Sequence, residues 1–189
     1  YANTNGFKSK KHSIFRIIEE HKVDIIILTE TKVNIRTSIK IPGFQCFSHV
    51  RNNKQGGGLL IAVKHGICQH SLLVEEGDNA SFLSIRLIFH KININIILVY
   101  GPQENNSADI RLKFFDDLEV QVNRAFLNND SVFMIGDFNA KLGNQIIYSD
   151  IHSQSQNGKI LYDLYQRLNL HLVNISNKCE GVFTMQSQQ

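Results

Sequence analysis

"SVFMIGDFNA", residues 131–140, runs an apolar stretch into an abrupt polar end. Read as a strand, side-chain alternation carries Asp137 and Asn139 to one side and turns Phe138 to the other. Two polar groups then aim at one target from the end of a buried strand. The same letters also spell a turn, because Gly, Asp and Asn are common turn residues and every strand must end. This stretch alone leaves both readings open.

The neighbouring segments fill in the architecture. Ser107 to Asn128 places Ile110, Phe114, Leu118, Val122 and Phe126 four residues apart with charged residues between them, the pattern of an amphipathic helix of about five turns. Before it, "SFLSIRLIF" (81–89) alternates with Leu83, Ile85, Leu87 and Phe89 on one face. "KININIILVY" (91–100) does the same through Ile92, Ile94, Ile96 and Leu98. "GGGLLIAVKHG" (56–66) reads as a buried strand, and three β segments in succession predict antiparallel neighbours. "VDIIILTETK" (23–32) is a short unbroken apolar run, expected of a strand buried on both faces. A helix in "KHSIFRIIEEH" (11–21), with Ile14, Ile17, Ile18 and His21 at helical spacing, feeds it. Downstream come a polar loop over 141–157, a helix carrying Leu161, Leu164, Tyr165 and Leu168, and a further strand in "LHLVNI" (170–175). Mixed order with antiparallel pairs predicts sheets with helices outside them, not a parallel doubly wound fold.

Bulk properties narrow the class less. A chain of 189 residues is long enough for one domain with a substantial core and short for two. With 42% hydrophobic and 20% charged residues the composition is that of an ordinary globular protein. No stretch approaches the roughly 20 apolar residues of a membrane span, so no membrane partner is expected. Cys46, Cys68 and Cys179 are scattered and odd in number, which suits reduced, separately buried thiols better than a disulfide framework or a zinc site. A net charge of +3 is compatible with a polyanionic partner and too mild to demand one. The opening "YANTNGFKSKKHS" has no initiator Met and no apolar signal core, which reads as part of a longer polypeptide and gives secretion no support.

Polar residues recur where the apolar runs stop: Glu30 in "LTETK", Tyr100 in "LVYGP", then Asp137 and Asn139, and with them stand Asn3 and Asn5 before Gly6, which follow no apolar run in this sequence. Ionised carboxylates are unfavourable at the edge of a core unless paired or bound to a cation. One cluster explains their recurrence economically. Carboxylates with carboxamides suit a hard divalent ion such as Mg²⁺, which takes few protein ligands and completes its shell with substrate phosphate oxygens. The expected target is a phosphate ester. The triple glycine of "QGGGL" (55–59) lacks the Lys-Ser/Thr ending of a phosphate loop, so close backbone packing at a strand start is its expected role. Arg51 and Lys54 in "HVRNNK" are candidates to touch a nucleic-acid backbone, with solvated loop charge as the plainer alternative.

Together, "NTNGF", "LTETK", "GGGLLIAV", "LVYGP", "GDFNAKLG" and "NGKILYDLYQRLNLHLVN" followed by "FT" resemble the endonuclease/exonuclease/phosphatase superfamily, in particular the apurinic-type endonuclease domain of non-LTR retrotransposons. The similarity covers nearly the whole chain in the family's order. It implies an α/β fold, a four-layer sandwich of two packed mixed β-sheets flanked by helices, forming a single domain over 1–189 that lacks its last strands. It also implies that Glu30 ligates the metal, Mg²⁺ or alternatively Mn²⁺, and that Asn3 helps hold that ligand. By the same resemblance Tyr100 contacts the scissile phosphate, Asp137 positions or deprotonates the attacking water, and Asn139 binds a phosphate oxygen. Turn formation is the alternative for Asn3 and the favoured role of Asn5. The implied partners are DNA and a reverse transcriptase in the same polypeptide, with action in the nucleus.

The family pattern ends in an Asp-bearing strand and a Ser-Asp-His motif that this sequence does not match. Only "SDIH" (149–152) looks like the latter; an Ile interrupts it and it falls too early, so His152 is expected to be a loop residue. The chain as given is therefore expected to be impaired or inactive in a family of enzymes. The alternatives are a phosphatase of the same superfamily acting on a phospholipid or nucleotide, and a non-catalytic relic or binding fragment.

Overall fold

The computed structural model describes residues 1–33, 38–50, 57–76, 81–89, 91–143 and 153–173. In chain order the elements are β1 (Ala2–Asn3), α1 (Phe7–His21), β2 (Ile25–Thr29), β3 (Phe44–His49), β4 (Leu59–Lys64), β5 (Gln69–Glu76), β6 (Ser81–Phe89), β7 (Ile92–Tyr100), α2 (Ala108–Leu127), β8 (Ser131–Asp137) and α3 (Gln156–Arg167). They form two four-stranded mixed sheets, ordered β1-β2-β4-β3 and β5-β6-β7-β8. In each sheet one outer pair, β1 with β2 and β7 with β8, is parallel and the rest antiparallel.

Alternation along the strands generates four layers. Ile27, Leu59, Ile61 and Val63 of the first sheet face Leu83, Ile85, Leu87, Ile96 and Leu98 of the second, forming the inner core. Their sequence neighbours point outward: Ile26, Leu28, Leu60 and Ala62 pack under Phe7 and Ile14 of α1. Phe82, Ile97 and Val99 pack under Phe114, Phe115, Leu118 and Val122 of α2 and Leu161 and Leu164 of α3. Both faces of β2 and β4 are thus covered, which is why their sequences are continuous apolar runs. Each fully buried Leu or Ile stabilises the sandwich by about 1.5–3 kcal/mol. Ser107 and Ser155 start α2 and α3, their hydroxyls accepting the N–H of Ile110 and Gly158, as N-cap residues do.

Several expectations are corrected. The segment 59–64 does not neighbour 81–89: β4 pairs with β2 and β3 in the other sheet. Between the two lies β5, and β3 and β5 had no recognised sequence signal; β3, "FQCFSH", mixes apolar with polar residues along the sheet's rim. Ile17 and Phe126 are exposed. In α2 the spacing of four overshoots the 3.6-residue turn by about 40° per step, so that row winds off the buried face by Phe126. Phe115 and Ala125 fill α2's buried face instead. His21 is exposed at the end of α1, and Ile92 is exposed as the first residue of β7. Residues 170–173 of the strand expected in "LHLVNI" are not a strand; the chain is still leaving α3, with the Leu170 N–H bonded back to the Tyr165 carbonyl. The rest of that segment, "SDIH" with His152, and Cys179 lie outside the described residues. Cys46 and Cys68 are free thiols, half-buried instead of fully buried.

Candidate active site

The two sheets bring the ends of β1, β2, β7 and β8 to one edge of the sandwich. Asn3 pairs with Thr29 in the parallel β1/β2 ladder, immediately before Glu30. The Asn3 Nδ2 donates to Glu30 Oε1 at 3.1 Å, and Asn3 Oδ1 accepts the Asn5 N–H at 3.2 Å. From the other sheet, the Tyr100 hydroxyl reaches the same Glu30 Oε1 at 3.5 Å, joining the two halves of the site. Tyr100 in turn pairs with Asp137 in the β7/β8 ladder. The side chain of Glu30 keeps 22% of its surface exposed, so it remains open to a ligand.

Main-chain bonds set the Glu30 turn. Its carbonyl and that of Thr31 accept the N–H groups of Gly6 and Phe7, both at 2.8 Å, while the Thr31 and Lys32 N–H groups donate to the carbonyls of Gly58 and Gly57. The expected close packing of the glycine run is realised here: a side chain at Gly58 would collide with Thr31 Oγ1. Asn5, Glu30 and Lys32 all adopt left-handed backbone, with φ of 45°, 53° and 49°, a conformation unfavourable for non-glycine residues unless the surroundings enforce it. Asn5 is the turn residue expected, and its Oδ1 also accepts from the Lys32 ammonium. That ammonium lies 3.8 Å from Glu30 Oε2.

The "GDFN" segment resolves the opening ambiguity in an unforeseen way. β8 stops at Asp137, and Asn139 is left-handed, with φ of 47°. Strand alternation therefore does not place Asn139 beside Asp137. An Asx turn does: Asp137 Oδ1 accepts the Asn139 N–H at 3.0 Å, and Asn139 Nδ2 donates to the Gly101 carbonyl at 2.9 Å. Phe138 packs into the core beneath α2 and α3. Gly136, at φ 144°, lets β8 approach β7 at this point, since a Cβ there would collide with the Val99 carbonyl.

Tyr1, with no assigned role in the sequence reading, also reaches the edge; its hydroxyl lies 3.2 Å from Thr29 Oγ1. Burial pushes the Tyr1 phenol up against the lowering effect of that hydrogen bond, and the negative charges of Asp137 and Glu30 add to the rise. The site is thus an anionic edge lined with carboxamides and aromatic hydroxyls. Among the described residues no three of His, Cys, Asp and Glu come together as an all-protein metal cage. A partly exposed carboxylate with a carboxamide beside it fits an ion that binds one or two carboxylates and otherwise substrate phosphate. Arg51 and Lys54 lie outside the described residues.

Glu104 has no part in the sequence reading, and Asn157 enters it only as the first residue of the "NGKILYDLYQRLNLHLVN" motif with no role of its own, although a glycine directly after it, inside a helical pattern, is a signal of close backbone approach. Burial disfavours the Glu104 carboxylate, but hydrogen bonds from Ser155 and from the Asn157 and Gln156 N–H groups, with Arg111 nearby, outweigh it and hold its carboxyl below the usual range.

Comparison with known proteins places this edge in context. The sequence profile of the Endonuclease/Exonuclease/phosphatase family matches residues 1–150. The 3'-5' exonuclease NExo from Neisseria meningitidis superposes with a TM-score of 0.64 at 17% identity, over 87% of this chain and 68% of that one. The endonuclease domain of TRAS1, a telomere-specific non-LTR retrotransposon, gives 0.63 at 17% identity, over 96% and 74%. An AP endonuclease from Archaeoglobus fulgidus gives 0.62 at 20% identity, over 88% and 68%. At these identities the likeness is one of fold. Among the described residues no helix is long and apolar enough to cross a membrane.

Proposed function

The chain belongs to the Endonuclease/Exonuclease/phosphatase family, and from that premise we propose that it is a divalent-metal-dependent phosphodiesterase, a DNA endonuclease that nicks target DNA for a retroelement. The observation that carries this reading is the convergence of Asn3, Glu30 and Tyr100, with Asp137 and Asn139 beside them, where the two sheets meet. The likeness to the TRAS1 domain over 96% of the chain supports the retroelement branch. The reading carries with it a nuclear place of action and a reverse transcriptase in the same polypeptide.

Glu30, steadied by Asn3, is the residue to hold Mg²⁺ or Mn²⁺. Such an ion, when bound, neutralises phosphate charge as a Lewis acid. The protein's own groups do the rest. Tyr100 and Asn139 donate hydrogen bonds to non-bridging phosphate oxygens and stabilise the charge that builds during in-line attack. Asp137, its carboxylate oriented by the Asn139 N–H, takes the proton of the attacking water. The phosphorus–oxygen bond opposite the water breaks, the leaving oxygen takes a proton from solvent, and a phosphomonoester and an alcohol remain.

The test is Mg²⁺-dependent nicking of supercoiled plasmid by the protein in its natural reading frame, beside a Glu30→Ala, Asp137→Ala double variant. Nicking by the parent and none by the variant supports the endonuclease. Hydrolysis of a phosphoinositide or nucleotide with intact plasmid would move the substrate to the phosphatase branch, and no hydrolysis at all would favour the relic.

A further inference from the structure

Two loops of the second sheet border the site: the one after β7, beginning at Gly101, and the one after β8, carrying Asn139. The Gly101 N–H donates to the Asp137 carbonyl at 2.7 Å, and the Asn139 side chain returns to the Gly101 carbonyl. Beyond those bonds the loops leave the sheet and meet the first turn of α3. Asn157 there is completely buried. Its Nδ2 donates to the Pro102 carbonyl at 2.7 Å and to the Asn139 carbonyl at 3.0 Å, one acceptor from each loop. Its backbone N–H and that of Gln156 donate to the two Glu104 carboxylate oxygens, at 2.9 and 3.2 Å. Around it, Ser155 and Lys141 exchange bonds at 3.0 Å in both directions, so close that a side chain at Gly158 would collide with the Lys141 carbonyl.

The chemistry demanded at 157 is narrow. Two carbonyls converge on one nitrogen, so the side chain must carry two donors on a single short stem, which only a carboxamide supplies; a carboxylate of the same shape has none. The Asn157 Oδ1 is buried and has no hydrogen-bond partner among the described residues. A group serving only to fill space would not leave an amide oxygen stranded, since buried polar atoms are otherwise nearly always bonded. The two donors are the reason for its presence.

We propose that Asn157 is a positioning residue for phosphodiester cleavage: its carboxamide locks the loop carrying Asn139 to the loop that follows Tyr100. Asp137, Asn139 and Tyr100 are thereby held as one unit, with Glu104 clamping the helix end that carries the lock. The proposal rests on the preceding assignment of Tyr100, Asp137 and Asn139 to the phosphate.

The experiment compares the parent with Asn157→Asp, which keeps the shape and removes both donors, and with Glu104→Ala, an exposed change that leaves the Ser155 cap in place should Asn157→Asp fail to fold. Steady-state nicking, well below each melting temperature, is paired with amide hydrogen exchange at Gly101 and Asn139. Misplacement of reacting groups by about 1 Å lowers turnover as much as 100-fold. The expected result is a kcat lower by about that factor in Asn157→Asp and by a smaller one in Glu104→Ala. KM should hold, and exchange should quicken at both amides. A lowered melting temperature with parental kcat and unchanged exchange overturns the proposal. If the parent cleaves no phosphodiester, the functional reading fails, and exchange alone then decides whether Asn157 locks the loops: faster exchange upholds the lock, and parental exchange overturns it.

Discussion

The two halves of the site are built by different means. On the first sheet, Glu30 is held chiefly by a weave of main-chain bonds with Gly6, Phe7, Gly57 and Gly58, the buried Thr4 hydroxyl adding one side-chain bond to the Thr29 and Glu30 carbonyls, with Asn5, Glu30 and Lys32 forced into left-handed backbone. On the second, Asp137 and Asn139 stand on a strand end and an Asx turn whose loops are secured by side chains of α3 and the β7 loop, chiefly Asn157, Glu104 and Ser155. A main-chain weave depends on where glycine permits close approach and is indifferent to most side-chain identities. A side-chain staple concentrates its role in single residues. The first half should therefore tolerate exchange of its functional side chains without unfolding, and the second should couple structure to activity.

The largest effect expected is on chemistry with the weave intact. Glu30→Ala should lower nicking by about 10²–10³-fold, the loss typical of one preorganised electrostatic group. Its melting temperature should stay within about 2–4 °C of the parent, equivalent to about 1 kcal/mol. Unfolding of that variant at room temperature would show that the carboxylate, not the backbone, holds the turn. Next comes Gly136→Ala, whose new methyl group has to push β8 off the Val99 carbonyl at positive φ. A loss of about 3 kcal/mol in urea unfolding is expected from the combined crowding and strain, and a neutral result would show that the strand pair gives way easily.

Smaller again is Tyr100→Phe. It removes one donor to a charged group, about 1.5–3 kcal/mol or roughly tenfold or more in kcat/KM, with unfolding little changed; full activity would remove Tyr100 from the phosphate. Smallest is Glu104→Gln. The folded state lowers the Glu104 carboxyl, so the stabilisation is present above the ordinary Glu range and is lost as pH falls through the lowered value. Thermal melts should then differ between parent and variant at neutral pH and converge in acid. A difference that does not shrink as the pH falls through the acid range would contradict the staple.

Much of this could be anticipated from local patterns. Period-two runs marked β6 and β7, apolar runs marked β2, β4 and β8, and spacing marked all three helices, because burial of one or both faces writes itself directly into neighbouring residues. The motifs also brought Asn3, Glu30, Tyr100, Asp137 and Asn139 into one list. Of the strand pairings only the antiparallel β6–β7 pair was legible: β4 lies in one sheet and β6 in the other, and β3 and β5 were overlooked, since pairing between distant strands is a long-range choice that a strand's own letters do not record.

The amino-acid sequence by itself determined the layered α/β class, the family, and the residue types at the site, because those follow from hydrophobic periodicity and from short motifs. The tertiary structure alone decided how they act together. It turned Asn139 back through a left-handed residue, set the Tyr100 hydroxyl against Glu30 across the two sheets, and buried Asn157 where its two N–H groups span the loops. These are contacts between residues 18 to 70 positions apart, fixed by sheet packing and by the need of buried polar groups for partners, and no window along the chain contains both ends of them.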